Sequence, residues 1–138
     1  MSGKVFLDTN ILAYAHDGAS RGKQKRSREV IAQLAHSGDG VISTQVMQEF
    51  FVTATRKLGV PPLAAKAVLK TFDVFEIVLA GPSLIHDAID CSVLNTVSFW
   101  DGLILAAAAS AGCGTLYSED LSHGQVILGV KIQNPFAA

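Results

Sequence analysis

The chain has 138 residues, 49% of them hydrophobic, with 11 Lys and Arg against 12 Asp and Glu for a formal net charge of −1. That length predicts a single domain, residues 1–138, able to bury roughly two thirds of its unfolded surface, and a charge so near zero excludes a globally basic nucleic-acid binder, so any such partner must meet a local patch. The longest uncharged apolar run, 102–114, is too short for a membrane span of ~18 residues, only three apolar residues separate Lys4 from Asp8 so that no signal peptide is expected, and Cys91 and Cys113 lack the spacing of a zinc site or a disulfide framework; the expected setting is the cytoplasm.

The opening stretch Lys4-Val5-Phe6-Leu7-Asp8-Thr9-Asn10 reads as a buried strand that ends in an acid, with a hydroxyl and an amide beside it. A short helix over 10–16 follows. The basic run Arg21-Gly22-Lys23-Gln24-Lys25-Arg26-Ser27-Arg28 leads into a helix with apolar positions Val30, Ile31 and Leu34, and Ser37-Gly38-Asp39-Gly40 is turn chemistry that stops it. Val41-Ile42 predicts a brief buried strand. Ser43 or Thr44 caps a helix to about residue 58, with Val46, Phe50 and Ala54 on its apolar stripe. Pro61 or Pro62 opens another to about residue 71. Beyond it come a strand over 74–79, a helix over 83–94, a helix over 98–112, a strand over 115–118 and a last strand over 130–132. Strands separated by helices of this length predict a mostly parallel sheet covered on both faces, an α/β sandwich with a central sheet of four or five strands.

Four acids are placed to share one crevice. In an open α/β sheet ligands bind beyond the carboxyl ends of the strands, where Asp8 sits; the bland alternative is that Asp8 or Asn10 only caps the helix behind it. Glu49 lies about 60° beyond Val46 on the helical wheel and so borders the apolar stripe without joining it. Ser98-Phe99-Trp100-Asp101 fits a capping box, yet Asp101 is also the only charge between Asp90 and Glu119, at the head of the apolar helix that continues Leu103-Ile104-Leu105. Ser118 and Asp120 share one strand face and Glu119 takes the other, so either acid can be the fourth, with Asp120 preferred. Two carboxylates about 4 Å apart repel by roughly 4 kcal/mol at an effective dielectric near 20. A divalent cation relieves this, and an all-oxygen donor set selects Mg²⁺ or Mn²⁺, the ions of phosphate chemistry.

Taken together, Leu7-Asp8-Thr9-Asn10, Glu49, Phe99-Trp100-Asp101-Gly102-Leu103-Ile104 and Tyr117-Ser118-Glu119-Asp120-Leu121 resemble the PIN-domain ribonucleases, specifically VapC-type toxins of toxin-antitoxin pairs. The resemblance implies a PIN-like α/β/α fold and a metal-dependent endoribonuclease, with Asp8, Glu49, Asp101 and Asp120 as metal-binding and catalytic acids. It implies that Thr9, Asn10 and Ser118 orient them. It also implies an RNA substrate, a cognate antitoxin protein and a homodimer. Lys23, Lys25 and Arg26 of the basic run are candidates for gripping RNA phosphates. The self-association surface is expected on the helices over 43–58 and 62–71, where Phe51, Val52, Leu63 and Val68 do not all fit inward.

Other classes fit less well. A haloacid-dehalogenase-like phosphotransferase needs Asp-x-Asp after the first strand, and here the third position is Asn10. A signalling receiver needs a phospho-accepting Asp after a middle strand, where this chain has Ala80-Gly81-Pro82. A PIN-like RNA-binding module without catalysis is the remaining alternative, and the presence of all four acids argues against it.

Overall fold

The three apolar residues ahead of Asp8 form β1 (Val5–Leu7), the pivot of the sheet in this computed structural model, which describes residues 3–137. Parallel partners lie on both sides: β2 (Gly40–Ser43) and, beyond it, β3 (Glu76–Val78) on one edge, β4 (Thr115–Tyr117) and β6 (Val130–Gln133) on the other. Antiparallel β5 (Val126–Ile127) closes that edge, giving the order β3-β2-β1-β4-β6-β5. Phe6 is in register with Val41 and with Leu116, and all three are buried.

The sheet thus has six strands among the described residues, where the sequence predicts four or five. The extra one arises because Leu128 and Gly129, at φ 54° and 77°, make a two-residue turn that folds β5 onto β6. Hairpin turns of this kind need φ > 0 and are usually marked by Asn or Asp ahead of Gly. Leu128 carries no such mark.

The helices form two groups that flank the sheet. On one side α1 (Thr9–Tyr14) packs against both α2 (Arg21–Ser37) and α3 (Thr44–Arg56), α4 (Pro62–Thr71) packs against α3, and Phe50 of α3 meets Phe72 edge-on at 5.1 Å. On the other, α5 (Pro82–Asn95) lies against α6 (Phe99–Ser110), whose residues from Gly102 to Ala108 are all buried between α5 and the sheet. A Cβ on Gly102 would stand 2.6 Å from the Ala88 carbonyl oxygen, so only glycine lets the two backbones approach this closely. Among the described residues no single helix is long and apolar enough to cross a membrane. Cys91 and Cys113 are free and buried, as small core residues.

Several boundaries shift for local reasons. The basic run is already helical, since α2 begins at Arg21. The predicted strand over 74–79 shrinks because Phe72–Val74 turns as a 3-10 helix, leaving Val74 outside. Helix α3 stops at Arg56, and Val60 N–H folds back to the Ala54 carbonyl at 2.9 Å. Of the apolar residues expected outside, Val52 and Leu63 are exposed while Phe51 and Val68 are half-buried. A second exposed apolar stripe, Ile85, Ile89 and Val93, recurs every four residues along α5.

Candidate active site

Sequence leaves β1 toward β2 on one side, while β4 inserts on the other, so the carboxyl ends of β1 and β4 flank the point where the strand order reverses. Asp8 and Ser118 occupy those two ends. Ser118, wholly buried, donates its hydroxyl to Asp8 Oδ2 at 2.8 Å, and the backbone N–H of Asp8 donates to the Tyr117 carbonyl at 3.0 Å. Asp8 is also the N-cap of α1, with Oδ1 accepting from Thr9 N at 2.7 Å. The capping role and a place in the acid cluster therefore coexist.

The residues beside Asp8 reach the other acids. Thr9 Oγ1 donates to Glu49 Oε1 at 2.8 Å, and Asn10 Nδ2 donates to Asp120 Oδ2 at 2.6 Å. Ser118 Oγ accepts from the Asp120 backbone N–H at 3.2 Å. At the head of α6, Ser98 Oγ accepts from Asp101 N at 3.1 Å, but the reciprocal half of the expected capping box does not form. Among the described residues the Asp101 carboxylate takes no hydrogen bond, and it faces the same cavity.

That cavity measures about 540 Å³, and Asp8, Glu49, Asp101 and Asp120 all line it. Burial is the main reason the Asp8 carboxyl is pushed up from 3.8 to about 6; the bonds from Ser118 and Thr9 pull the other way, and the charges of Glu49 and Asp120 add to the rise. As the side chains stand, no three His, Cys, Asp or Glu among the described residues converge tightly enough to enclose one ion.

Glu119 points elsewhere. It accepts from Lys23 Nζ at 2.7 Å and from the Tyr14 hydroxyl at 2.8 Å, and it lines a smaller neighbouring cavity of about 190 Å³. Burial alone would raise its pKa, but these two donors and the Lys57 charge hold it below the usual carboxylate range. Strand β4 ends at Tyr117, and in the bend that follows it Ser118 turns inward while Asp120, rather than Glu119, reaches the wall of the main cavity.

The basic run is partly occupied within the fold. Lys23 lies over the Tyr14 ring at 4.9 Å as well as pairing with Glu119, Arg26 Nε donates to the Pro135 carbonyl at 3.2 Å, and Arg28 Nε to that of Ala15 at 2.9 Å. Lys25 is exposed and makes no such tie among the described residues. Two further residues of the cavity escape a search for acids. Gln45 sits one helical turn before Glu49, a spacing that puts both on one face. Trp100 stands 61% exposed at the rim.

Residues 5–126 match the PIN domain, and the chain belongs to the PIN domain family. Its fold is similar to that of Mycobacterium tuberculosis VapC20, described as a sarcin-ricin loop cleaving toxin, with a TM-score of 0.68 at 20% identity over 85% of this chain and 90% of that one. A toxin-antitoxin complex from Klebsiella pneumoniae gives 0.74 at 17% identity, covering 98% and 100%. DNA-bound VapBC from Salmonella typhimurium gives 0.70 at 20% identity, covering 98% and 99%. No curated protein sequence matches.

Proposed function

We infer that this protein is a metal-dependent endoribonuclease that cleaves RNA phosphodiester bonds and serves as the toxin of a toxin-antitoxin pair. The observation that carries the reading is the meeting of Asp8, Glu49, Asp101 and Asp120, from four separate elements, around one cavity at the strand-order switch. So many carboxylates in one place, one of them buried and raised toward neutrality, have no compensating cation among the described residues. A hard divalent ion supplies it. The all-oxygen donor set fits Mg²⁺ or Mn²⁺, and Mg²⁺ usually keeps several waters and takes only one or two carboxylates directly, which suits acids that are near one another without closing on one point.

Asp8, Asp101, Glu49 and Asp120 would hold one or two such ions. When bound, they lower the pKa of a coordinated water and stabilise charge on the phosphoryl and leaving oxygens. The chain's own groups set the geometry for this. Thr9 fixes Glu49, Asn10 fixes Asp120, and Ser118 fixes Asp8 while accepting from the backbone of Asp120. Unpaired stretches of structured RNA suit an open cavity of this size, because a base must leave its stack to bring the backbone to the acids.

The partners follow from similar reasoning. Solved structures of similar fold include complexes of a toxin with an antitoxin, which supports an antitoxin protein as this chain's partner, covering the acidic cavity. Exposed Val52 and Leu63 support a homodimer. Lys25, with Lys23 and Arg26 in lesser part, would grip RNA phosphates. The cytoplasm, where RNA is, is the place of action.

The deciding experiment is cleavage of a structured RNA with unpaired loops in Mg²⁺ or Mn²⁺, compared with EDTA and with Asp8→Asn. Metal-dependent cleavage lost in Asp8→Asn supports the nuclease. RNA binding with no cleavage in either metal would instead favour a PIN-like binding module.

A further inference from the structure

Among the polar side chains of the cavity that have no role in this scheme, one is buried. Gln45, in the first turn of α3, is 5% exposed. Glutamine is seldom buried so deeply without partners, and here the partners are informative. Its Nε2 donates to Glu49 Oε2 at 3.4 Å and to the backbone carbonyl of Trp100 at 3.2 Å. Both contacts are long, and each uses one of the two amide hydrogens. Reversing the amide would aim its oxygen at two acceptors, so the orientation is fixed by chemistry. That orientation leaves Oε1 buried without any hydrogen bond. An unsatisfied buried acceptor destabilises a fold, and an apolar side chain of the same volume would avoid the loss. What the amide contributes here is therefore its two donors.

What those donors join is specific. Glu49 is held from both sides, Oε1 by Thr9 at the end of β1 and Oε2 by Gln45. The Trp100 carbonyl belongs to the residue immediately before Asp101, in the first turn of α6. Helices α3 and α6 belong to different helix groups, and Gln45 bridges them at the point where each presents an acid to the cavity.

We propose that Gln45 is a positioning residue of the acidic cavity, whose amide ties the Glu49 carboxylate to the backbone beside Asp101 and so sets the spacing of these two acids for a divalent cation. This rests on the metal-dependent reading above. Groups that orient metal ligands typically carry 10–100-fold of metal affinity. The test is Mn²⁺ titration of the full chain, followed by the fluorescence of Trp100, its single tryptophan, alongside melting in EDTA and RNA cleavage against Mn²⁺ concentration. Gln45→Met keeps the volume and removes both donors. It should melt no lower than wild type in EDTA, yet need about tenfold more Mn²⁺ for half-saturation in both fluorescence and cleavage. Gln45→Asn, which retains the amide on a stem too short to span both acceptors, should show the same rise and decides the matter if the Met variant does not fold. Wild-type Mn²⁺ affinity in these variants, or a lowered melting temperature with affinity unchanged, would overturn the proposal while leaving the nuclease reading intact. A wild-type chain that neither binds Mn²⁺ nor cleaves RNA would overturn both.

Discussion

Ser118 and Asp8, 110 positions apart in the chain, meet through a 2.8 Å hydrogen bond between the ends of neighbouring parallel strands. The bond does two things at once. It stabilises the ionised form of Asp8 against a burial that favours the neutral one, and it fixes the carboxylate at the wall of the cavity.

The first prediction concerns pH in metal-free protein. The folded-state pKa of Asp8 is raised from 3.8 to about 6, so the folded chain holds this proton more tightly than the unfolded chain does. Stability from this group is present below pH 4 and is lost as pH rises through about 6, a loss of about 3 kcal/mol. Asp8→Asn removes that penalty. Its melting temperature should exceed that of wild type by roughly 5–10 °C at pH 8 in EDTA, and the gap should close near pH 4. A gap that does not change with pH would show that Asp8 is not the group responsible.

Metal addition should act in the opposite direction on the wild-type chain. Binding to the folded state alone stabilises by mass action, about 2.7 kcal/mol at a hundredfold excess over Kd. Melting in increasing Mg²⁺ or Mn²⁺ should therefore rise continuously in wild type and stay nearly flat in Asp8→Asn. Equal curves for the two would remove Asp8 from the metal site.

The two neighbouring acids after β4 should separate cleanly in a cleavage assay. Glu119→Gln leaves the main cavity untouched and should retain activity within a few-fold, whereas Asp120→Asn should lose tenfold or more. The reverse pattern would make Glu119 the fourth acid.

The contrast between these two shows what a sequence can and cannot reveal. The alternation expected of a continuing strand sets the two acids on opposite faces, but β4 ends at Tyr117, so which acid meets the crevice depends on the bend beyond it and on β1 lying beside β4, a pairing across most of the chain. Asp8, Glu49 and Asp101 were legible because each breaks or borders an apolar pattern. Gln45 was not, because an uncharged residue in the first turn of a helix disturbs no pattern, and its meaning depends on the Trp100 carbonyl arriving from another helix. The parallel core of the sheet was legible for the same reason as the acids, while β5 was not, since Leu128 hides the turn that makes it.

Helix approach supplies another prediction. Gly102→Ala forces a methyl group against the Ala88 carbonyl and should cost about 1–3 kcal/mol in denaturant unfolding. Because Asp101 is the adjacent residue, cleavage should fall further than the loss of folded protein accounts for. A variant as stable and active as wild type would mean that α5 and α6 have room to part.

Within the basic run, the salt dependence of RNA binding should distinguish free from occupied cations. Lys25→Gln should flatten the slope of log K against log salt by nearly one, and Lys23→Gln by less, since Glu119 already neutralises that ammonium. Equal effects would place both on the RNA.

The position of β4 also bears on when, on the nuclease reading proposed above, activity could first appear. This strand is central in the sheet and leads directly into Ser118 and Asp120, yet it is made late, after more than four fifths of the chain. A nascent polypeptide still on the ribosome carries Asp8, Glu49 and Asp101 without the strand that completes their cavity. On that reading translation order would delay activity until the chain is nearly finished, and a product truncated before residue 115 should cleave no RNA however much of it accumulates.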